Sequence, residues 1–145
     1  MNDDELARRL SVAFGLLSRR LRPERGELSL GHFSTLAWIE RHGPQRIGDL
    51  ARAERVTAPV MTRIVAVLHG RGLVAREASP DDGRAVQVAI TPAGSALVAE
   101  VRAERAAEVA ALLERLEPDQ RLALAGAAEA LDALATLACP VLLPS

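Results

Sequence analysis

The stretch VTAPVMTRIVAVLHGRGLVAREASPDDGRAVQVAITP, Val56 to Pro92, decides the fold. Thr57 to Arg71 reads as a helix that stops at Gly72, a residue suited to the left-handed turn after a helix end. Leu73-Val74-Ala75-Arg76-Glu77 follows as a strand, then the turn cluster Ser79-Pro80-Asp81-Asp82-Gly83-Arg84. The alternating run Val86-Gln87-Val88-Ala89-Ile90 predicts the return strand. A helix followed by a two-stranded ribbon with a basic tip fits a winged helix-turn-helix, with the helix in a major groove and the tip by the adjacent minor groove.

Working outward, Ile47 to Glu54 predicts a short helix presenting Leu50 and Ala51 inward, and Arg55-Val56 a short turn before Thr57. Two short helices joined this way form the helix-turn-helix unit. Thr57 is an N-cap candidate, and Pro59 is tolerated in the first turn. Upstream, Ser29 caps a helix over Leu30 to Arg41 that buries Phe33, Leu36, Ala37 and Ile39, and His42-Gly43-Pro44 ends it. The first helix is expected from about Asp4 to Leu21, with Leu6, Leu10, Ala13, Phe14, Leu17 and Leu21 on one face, and Arg22-Pro23-Glu24-Arg25-Gly26 breaks it. Thr91-Pro92 starts a helix reaching about Arg115. After Leu116-Glu117-Pro118, the last helix runs from Asp119 to about Ala138, and Pro140 stops it.

The fold class is therefore mainly α with a small antiparallel β-hairpin wing. The expected organisation is one domain over 1–145. It has a winged helix-turn-helix at 30–92, a connecting helix at 92–115, and dimerisation helices at 1–28 and 110–145. The long terminal helices carry more apolar surface than the small winged unit covers. A two-fold dimer through both chain ends buries the same patch on each copy and supplies the two reading heads that a palindromic site requires.

The 145 residues suffice for one domain with a real core, built from Leu, Val, Ile and Ala because only Phe14, Phe33 and Trp38 are aromatic. Alanine favours helix. No apolar run reaches the ~18 residues of a membrane span. The acidic N-terminus, followed by an amphipathic pattern, does not read as a signal peptide. Cys139 alone gives no intrachain disulfide and no zinc cluster, so the cytosol is the simplest location. The net charge of −1 conceals a gradient. Residues 46–91 hold seven Arg against five acids, a balance of +2, and residues 92–145 hold four Arg against eight acids, a balance of −4. Every basic residue other than histidine is Arg.

The sequence resembles the MarR (multiple-antibiotic-resistance) family of bacterial transcription regulators. The residues that carry the likeness are Ile47-Gly48-Asp49-Leu50-Ala51, Met61-Thr62-Arg63, Arg71-Gly72-Leu73-Val74-Ala75-Arg76, Pro80-Asp81-Asp82-Gly83-Arg84 and Ile90-Thr91-Pro92-Ala93-Gly94. They stand in family order and at family spacing. The resemblance implies a homodimer that binds double-stranded DNA at a pseudo-palindromic operator, and often relief of repression by a small ligand. It places the basic wing residue at Arg84 and centres the recognition-helix contacts on Thr57, Ala58, Thr62 and Arg63. Many members carry a second basic residue where this chain has Gly83, and a polar or basic one where it has Val67.

Each candidate also has a plainer reading. Arg84 follows Asp82-Gly83, a dipeptide suited to a hairpin turn, and an Arg there can enter a narrow minor groove. Asp82 either holds a neighbouring Arg by a charge-assisted bond or only makes the turn. Arg63 suits a bidentate guanine contact or a phosphate contact. Thr57, Ala58 and Thr62 suit phosphate or a thymine methyl, while Thr57 also serves as a cap. The resemblance further implies an effector cleft between dimer helices and reading heads, which here would have Leu10, Phe14, Leu17 and Phe33 as walls, with His32, Trp38 and Arg20 or Arg76 as anchors. That lining suits a small aromatic or lipophilic molecule, or an anion held by an arginine. Trp38 reads equally as core.

His32, His42 and His69 lack metal-ligand spacing, so no metal site is expected. No catalytic constellation and no cofactor motif stands out. Glu100, Glu104 and Glu108, with Arg102 and Arg105 between, read as a solvated helix face. The reading is a dimeric, sequence-specific DNA-binding regulator without enzyme activity, a repressor released by a small ligand. A constitutive or activating regulator of the same fold is the alternative, as is a protein-binding winged-helix module.

Overall fold

A computed structural model describes residues 1–23 and 25–139. Its elements, in order, are α1 (Asp3–Arg20), α2 (Leu30–His42), α3 (Ile47–Glu54), α4 (Ala58–Gly70), β1 (Val74–Ala78), β2 (Val86–Ile90), α5 (Pro92–Leu113) and α6 (Pro118–Ala138). The chain divides into two compact units, residues 1–103 and residues from 104 onward. The expected stop at Pro140, and the end of the expected 110–145 segment, lie outside the described residues.

In the first unit, α3 packs on α4 and α2, α2 packs on β2 and α4, and β1 packs on α4. Phe33, Leu36 and Ile39 of α2, Leu50 of α3, Met61, Val65 and Leu68 of α4, and Val88 of β2 meet in one buried core. The period of those positions is helical in each helix, so each buries one stripe. Leu36, Leu50, Met61, Val65, Leu68 and Val88 are wholly excluded from solvent. Thr35 joins them because its hydroxyl donates to the Gly31 carbonyl at 2.8 Å, which satisfies the buried polar group.

β1 and β2 pair antiparallel, with Val74 opposite Ile90, Arg76 opposite Val88 and Ala78 opposite Val86. Gln45 adds a third, one-residue rung: its N–H donates to the Val88 carbonyl at 3.0 Å and its carbonyl accepts from Val88 N–H at 2.7 Å. The ribbon is thereby tied to the segment entering α3. The ends of α3 and β2 fall as the sequence predicts. Elsewhere the differences are small. The helix expected to reach Arg71 stops at Gly70, with Gly72 at φ 70°. β1 starts and ends one residue later than expected, because the Leu73 carbonyl and N–H are engaged by Thr91 and by Leu68.

The tip of the ribbon departs from its expected form. Asp82-Gly83 is not the centre of a two-residue hairpin, and Gly83 is not at positive φ, which a type I′ turn there requires. The ends are set further apart, with Ser79 N–H donating to the Ala85 carbonyl at 2.9 Å. Inside that loop Asp82 opens a turn over Gly83 and Arg84, closed by Ala85 N–H on the Asp82 carbonyl at 3.0 Å. Asp82 suits that opening position because its side chain captures the N–H two residues on.

No residue of α1 is buried in the single chain. Its stripe stays open: Phe14 is 42% and Leu17 43% exposed. In the second unit, α6 likewise buries nothing, and Leu122, Leu124, Leu134 and Leu137 are all exposed. Among the described residues, no helix is long and apolar enough to cross a membrane.

Candidate nucleic-acid interface

α4 has two faces. Met61, Val65 and Leu68 point into the core, while Ala58, Pro59, Thr62, Arg63, Ala66 and His69 are exposed. The helix starts at Thr57, whose extended backbone (φ −75°, ψ 158°) and Oγ1, accepting from Val60 N–H at 3.4 Å, make it the N-cap. Thr57 is thus a cap, as one of its two readings held. Its hydroxyl proton remains to be given. Thr62 is the reverse case: its Oγ1 donates to the Ala58 carbonyl at 2.9 Å, so its lone pairs remain to accept. Phosphate oxygens only accept. Thr57 therefore matches phosphate, whereas Thr62 matches a base amino group. Arg63 is exposed and forms no ion pair with any described residue.

The second basic point is the wing. Arg84 is exposed at the tip, and its backbone N–H donates to Asp82 Oδ1 at 3.0 Å. Asp82 therefore fixes the Arg84 backbone and does not clamp a guanidinium, which corrects the expected charge-assisted bond. The start of the tip loop is anchored by Ser79, which is buried and whose Oγ lies 3.5 Å from Arg46 Nη2. Arg46 is the N-cap residue of α3. The tip and the helix-turn-helix thus share a support.

The proposed pocket residues scatter. Phe33 is core. Trp38 is half-buried against the core and stacks on His42, with ring centroids 4.0 Å apart, while His42 Nδ1 donates to the Trp38 carbonyl at 3.0 Å. Arg76 is exposed in mid-strand, and Phe14 and Leu17 lie on the open face of α1. Two cavities flank the start of α2: one of about 820 Å³ between Arg22 and Gly31, and one of about 370 Å³ bordered by Arg25, Arg71, Leu28 and Leu97. None of Phe14, Leu17, His32, Trp38 and Arg76 lines either.

His32 proves to be a capping residue. Its Nδ1 accepts from Ser29 N–H at 3.0 Å and lies 2.8 Å from Ser29 Oγ, closing a capping box at the start of α2. Burial, and then the nearby Arg71 guanidinium, hold its pKa below the usual histidine value of 6.5. Both favour the neutral ring that the cap needs. Among the described residues, no group of three metal-ligating side chains gathers.

Sequence reasoning passed over three features of this region. Gln45 carries no strand signal, the Ser79–Arg46 contact joins residues far apart in sequence, and Arg55 holds a backbone conformation usual for glycine.

A two-faced helix behind a short first helix, with a basic ribbon tip alongside, defines a winged helix-turn-helix DNA-binding protein. The MarR family model matches residues 28–86, which hold that unit. Over 130 residues the chain is 38% identical to an HTH-type transcriptional regulator of Mycobacterium leprae, covering 88% of this chain and 91% of that one. The chain belongs to the MarR family of transcriptional regulators and is not an enzyme. Solved structures carry the same fold. A MarR family protein from Bacillus stearothermophilus superposes with a TM-score of 0.73 at 22% identity, over 94% of this chain and 99% of that one. The protein RV1404 of Mycobacterium tuberculosis gives 0.75 at 24% identity, over 93% and 95%.

Proposed function

We propose that this regulator acts as a homodimeric repressor that reads a pseudo-palindromic operator with α4 and the Arg84 wing of each copy. Thr57 gives its hydroxyl proton to a phosphate, Ala58 meets a thymine methyl, Thr62 accepts from a base amino group, and Arg63 reads guanine or a phosphate. Arg84 enters the flanking minor groove, with Asp82 holding its backbone. The observation that carries this reading is the exposed α4 face, on which Arg63 stands among small residues and in no ion pair with a described residue. A face of alanine, threonine and proline permits close approach to base edges.

Dimerisation is supported by the uncovered apolar residues of α1 and α6. Exposed stripes on two long helices are costly in water, and a second copy removes them symmetrically. An effector site walled by Phe14 and Leu17 then needs that second copy, since both are open in the single chain. A small aromatic or lipophilic ligand there releases DNA only by binding better to the head spacing that mismatches the operator.

The test pairs sedimentation with operator titration. The full chain is expected to sediment as a dimer and to bind a palindromic duplex as a dimer. A chain ending at Glu117 is expected to aggregate or unfold. A folded monomer from that truncation, or tight operator binding by a single copy, would contradict the proposal.

A further inference from the structure

Arg55 is the only described non-glycine residue at positive φ, with φ 56° and ψ 43°. It stands where the first helix of the helix-turn-helix ends. Val56 N–H donates to the Ala51 carbonyl at 3.0 Å and Arg55 N–H to the Arg52 carbonyl at 3.3 Å. This nested pair is the Schellman closure, in which the left-handed position is usually glycine. Both bonds are made by the backbone, so glycine would form them equally well, without a Cβ in the left-handed region. The arginine side chain does not serve the turn.

It makes no ion pair or side-chain hydrogen bond with another described residue either. Arg55 is exposed. Its neighbour Arg52 is ion-paired to Asp49. The turn between the two helices thus presents, two residues before the Thr57 cap, a guanidinium that no described residue engages. In this motif the first helix crosses the DNA backbone while the N-terminal residues of the second reach base edges. A side chain on the turn between them falls at the edge of the groove, where phosphates lie.

We infer that Arg55 is a phosphate-contacting residue of the DNA interface, held in an unfavourable backbone conformation because its charge is needed there. Strain kept at a binding surface is the expected signature of such a compromise. The inference rests on the reading that α4 enters DNA, and it assigns affinity and not sequence preference to Arg55.

The test compares Arg55→Gly, Arg55→Asn and Arg55→Lys with the full-length protein, on a selected operator and an unrelated duplex, across a salt series. The melting temperatures of Arg55→Gly and Arg55→Asn, residues that tolerate positive φ, should match or exceed that of the wild type. Both should lose affinity by the same factor on the two duplexes, and the salt slope should become shallower by about 1 per subunit. Arg55→Lys should keep the wild-type slope. Wild-type affinity and slope in Arg55→Gly, while Arg63→Ala still loses operator binding, would overturn this inference and leave the α4 reading intact. A loss confined to the operator would make Arg55 a base reader and overturn the phosphate assignment. A lowered melting temperature in both Gly and Asn variants would show a packing role and likewise overturn it. Failure of the wild type to bind either duplex would overturn both readings.

Discussion

Gly94→Ala isolates the joint between the wing and the helix that follows it. Gly94 lies in the first turn of α5, behind the Thr91 cap, whose Oγ1 accepts from Gly94 N–H at 3.1 Å. A Cβ built there falls 2.1 Å from the Leu73 carbonyl oxygen and 2.7 Å from Ile90 Cγ1. Real Cβ atoms essentially never approach closer than 3.0 Å, so the carbonyl must retreat by 0.9 Å, the difference between 3.0 and 2.1. It is poorly placed to do so, because it accepts from Thr91 N–H at 3.1 Å, and Val74 beside it opens the ribbon opposite Ile90. Overpacking against a rigid backbone costs about 3 kcal/mol, and the better helix propensity of alanine returns at most about 1 kcal/mol. The net expectation is a loss of about 2 kcal/mol. Urea unfolding at fixed protein concentration measures it as a lower midpoint with an unchanged slope. Gly48→Ala is the control: nothing lies within 4 Å of its Cβ, and stability should hold or rise. A Gly94→Ala protein as stable as the wild type would refute the close-packing argument, since helix propensity alone predicts a gain.

Three further outcomes are expected. Arg84→Ala should cost operator binding about 1–3 kcal/mol per subunit while thermal melting shifts by no more than about 0.5 kcal/mol, because an exposed tip arginine buries little; unchanged affinity sinks the wing assignment. His32 has a folded pKa below its unfolded value of 6.5, so the unfolded chain binds the proton more readily. Its contribution is therefore fully present above about pH 6.5 and is lost as pH falls through the folded value. In denaturation curves from pH 7.5 to 5, His32→Gln should flatten that part of the profile, and an unchanged profile refutes the cap's coupling to protonation. Cys139 is exposed at the end of α6 with no activating partner among the described residues, so Cys139→Ser should leave DNA binding and its peroxide response unchanged; loss of a peroxide-induced release in the variant would make the thiol a sensor.

Local pattern made much of this architecture legible. Phe33, Leu36 and Ile39 inward in α2, Leu50 and Ala51 inward in α3, and Thr91-Pro92 as a helix start all follow from spacing and cap chemistry over a few residues. What stayed hidden depends on partners far along the chain or on a conformation the residue type does not advertise. Gln45 becomes a ladder rung only because Val88 reaches it, and Gly94 reads as a weak helix residue until Leu73 is placed against it. Arg55 gives no sign of a left-handed turn, because arginine is not a turn residue. Asp82-Gly83 misled in the opposite direction: the dipeptide suits a tight hairpin, but Ser79 and Ala85 close the loop further back, and Asp82 opens the turn. The sequence offers His32 as a polar group on an apolar face and Trp38 as core or pocket lining; their local partners, Ser29 and His42, are visible only in the structure.

The most direct test of sequence-specific reading by α4 and the wing is selection of bound duplexes from a random pool by the full-length protein, followed by sequencing. The account predicts an enriched pseudo-palindrome with half-sites centred about one helical turn, or a multiple of it, apart. It also predicts that Arg63→Ala relaxes or weakens the inner positions of each half-site and Arg84→Ala the flanking ones. A pool with no enriched motif, or one enriched identically by wild type and both variants, would contradict it.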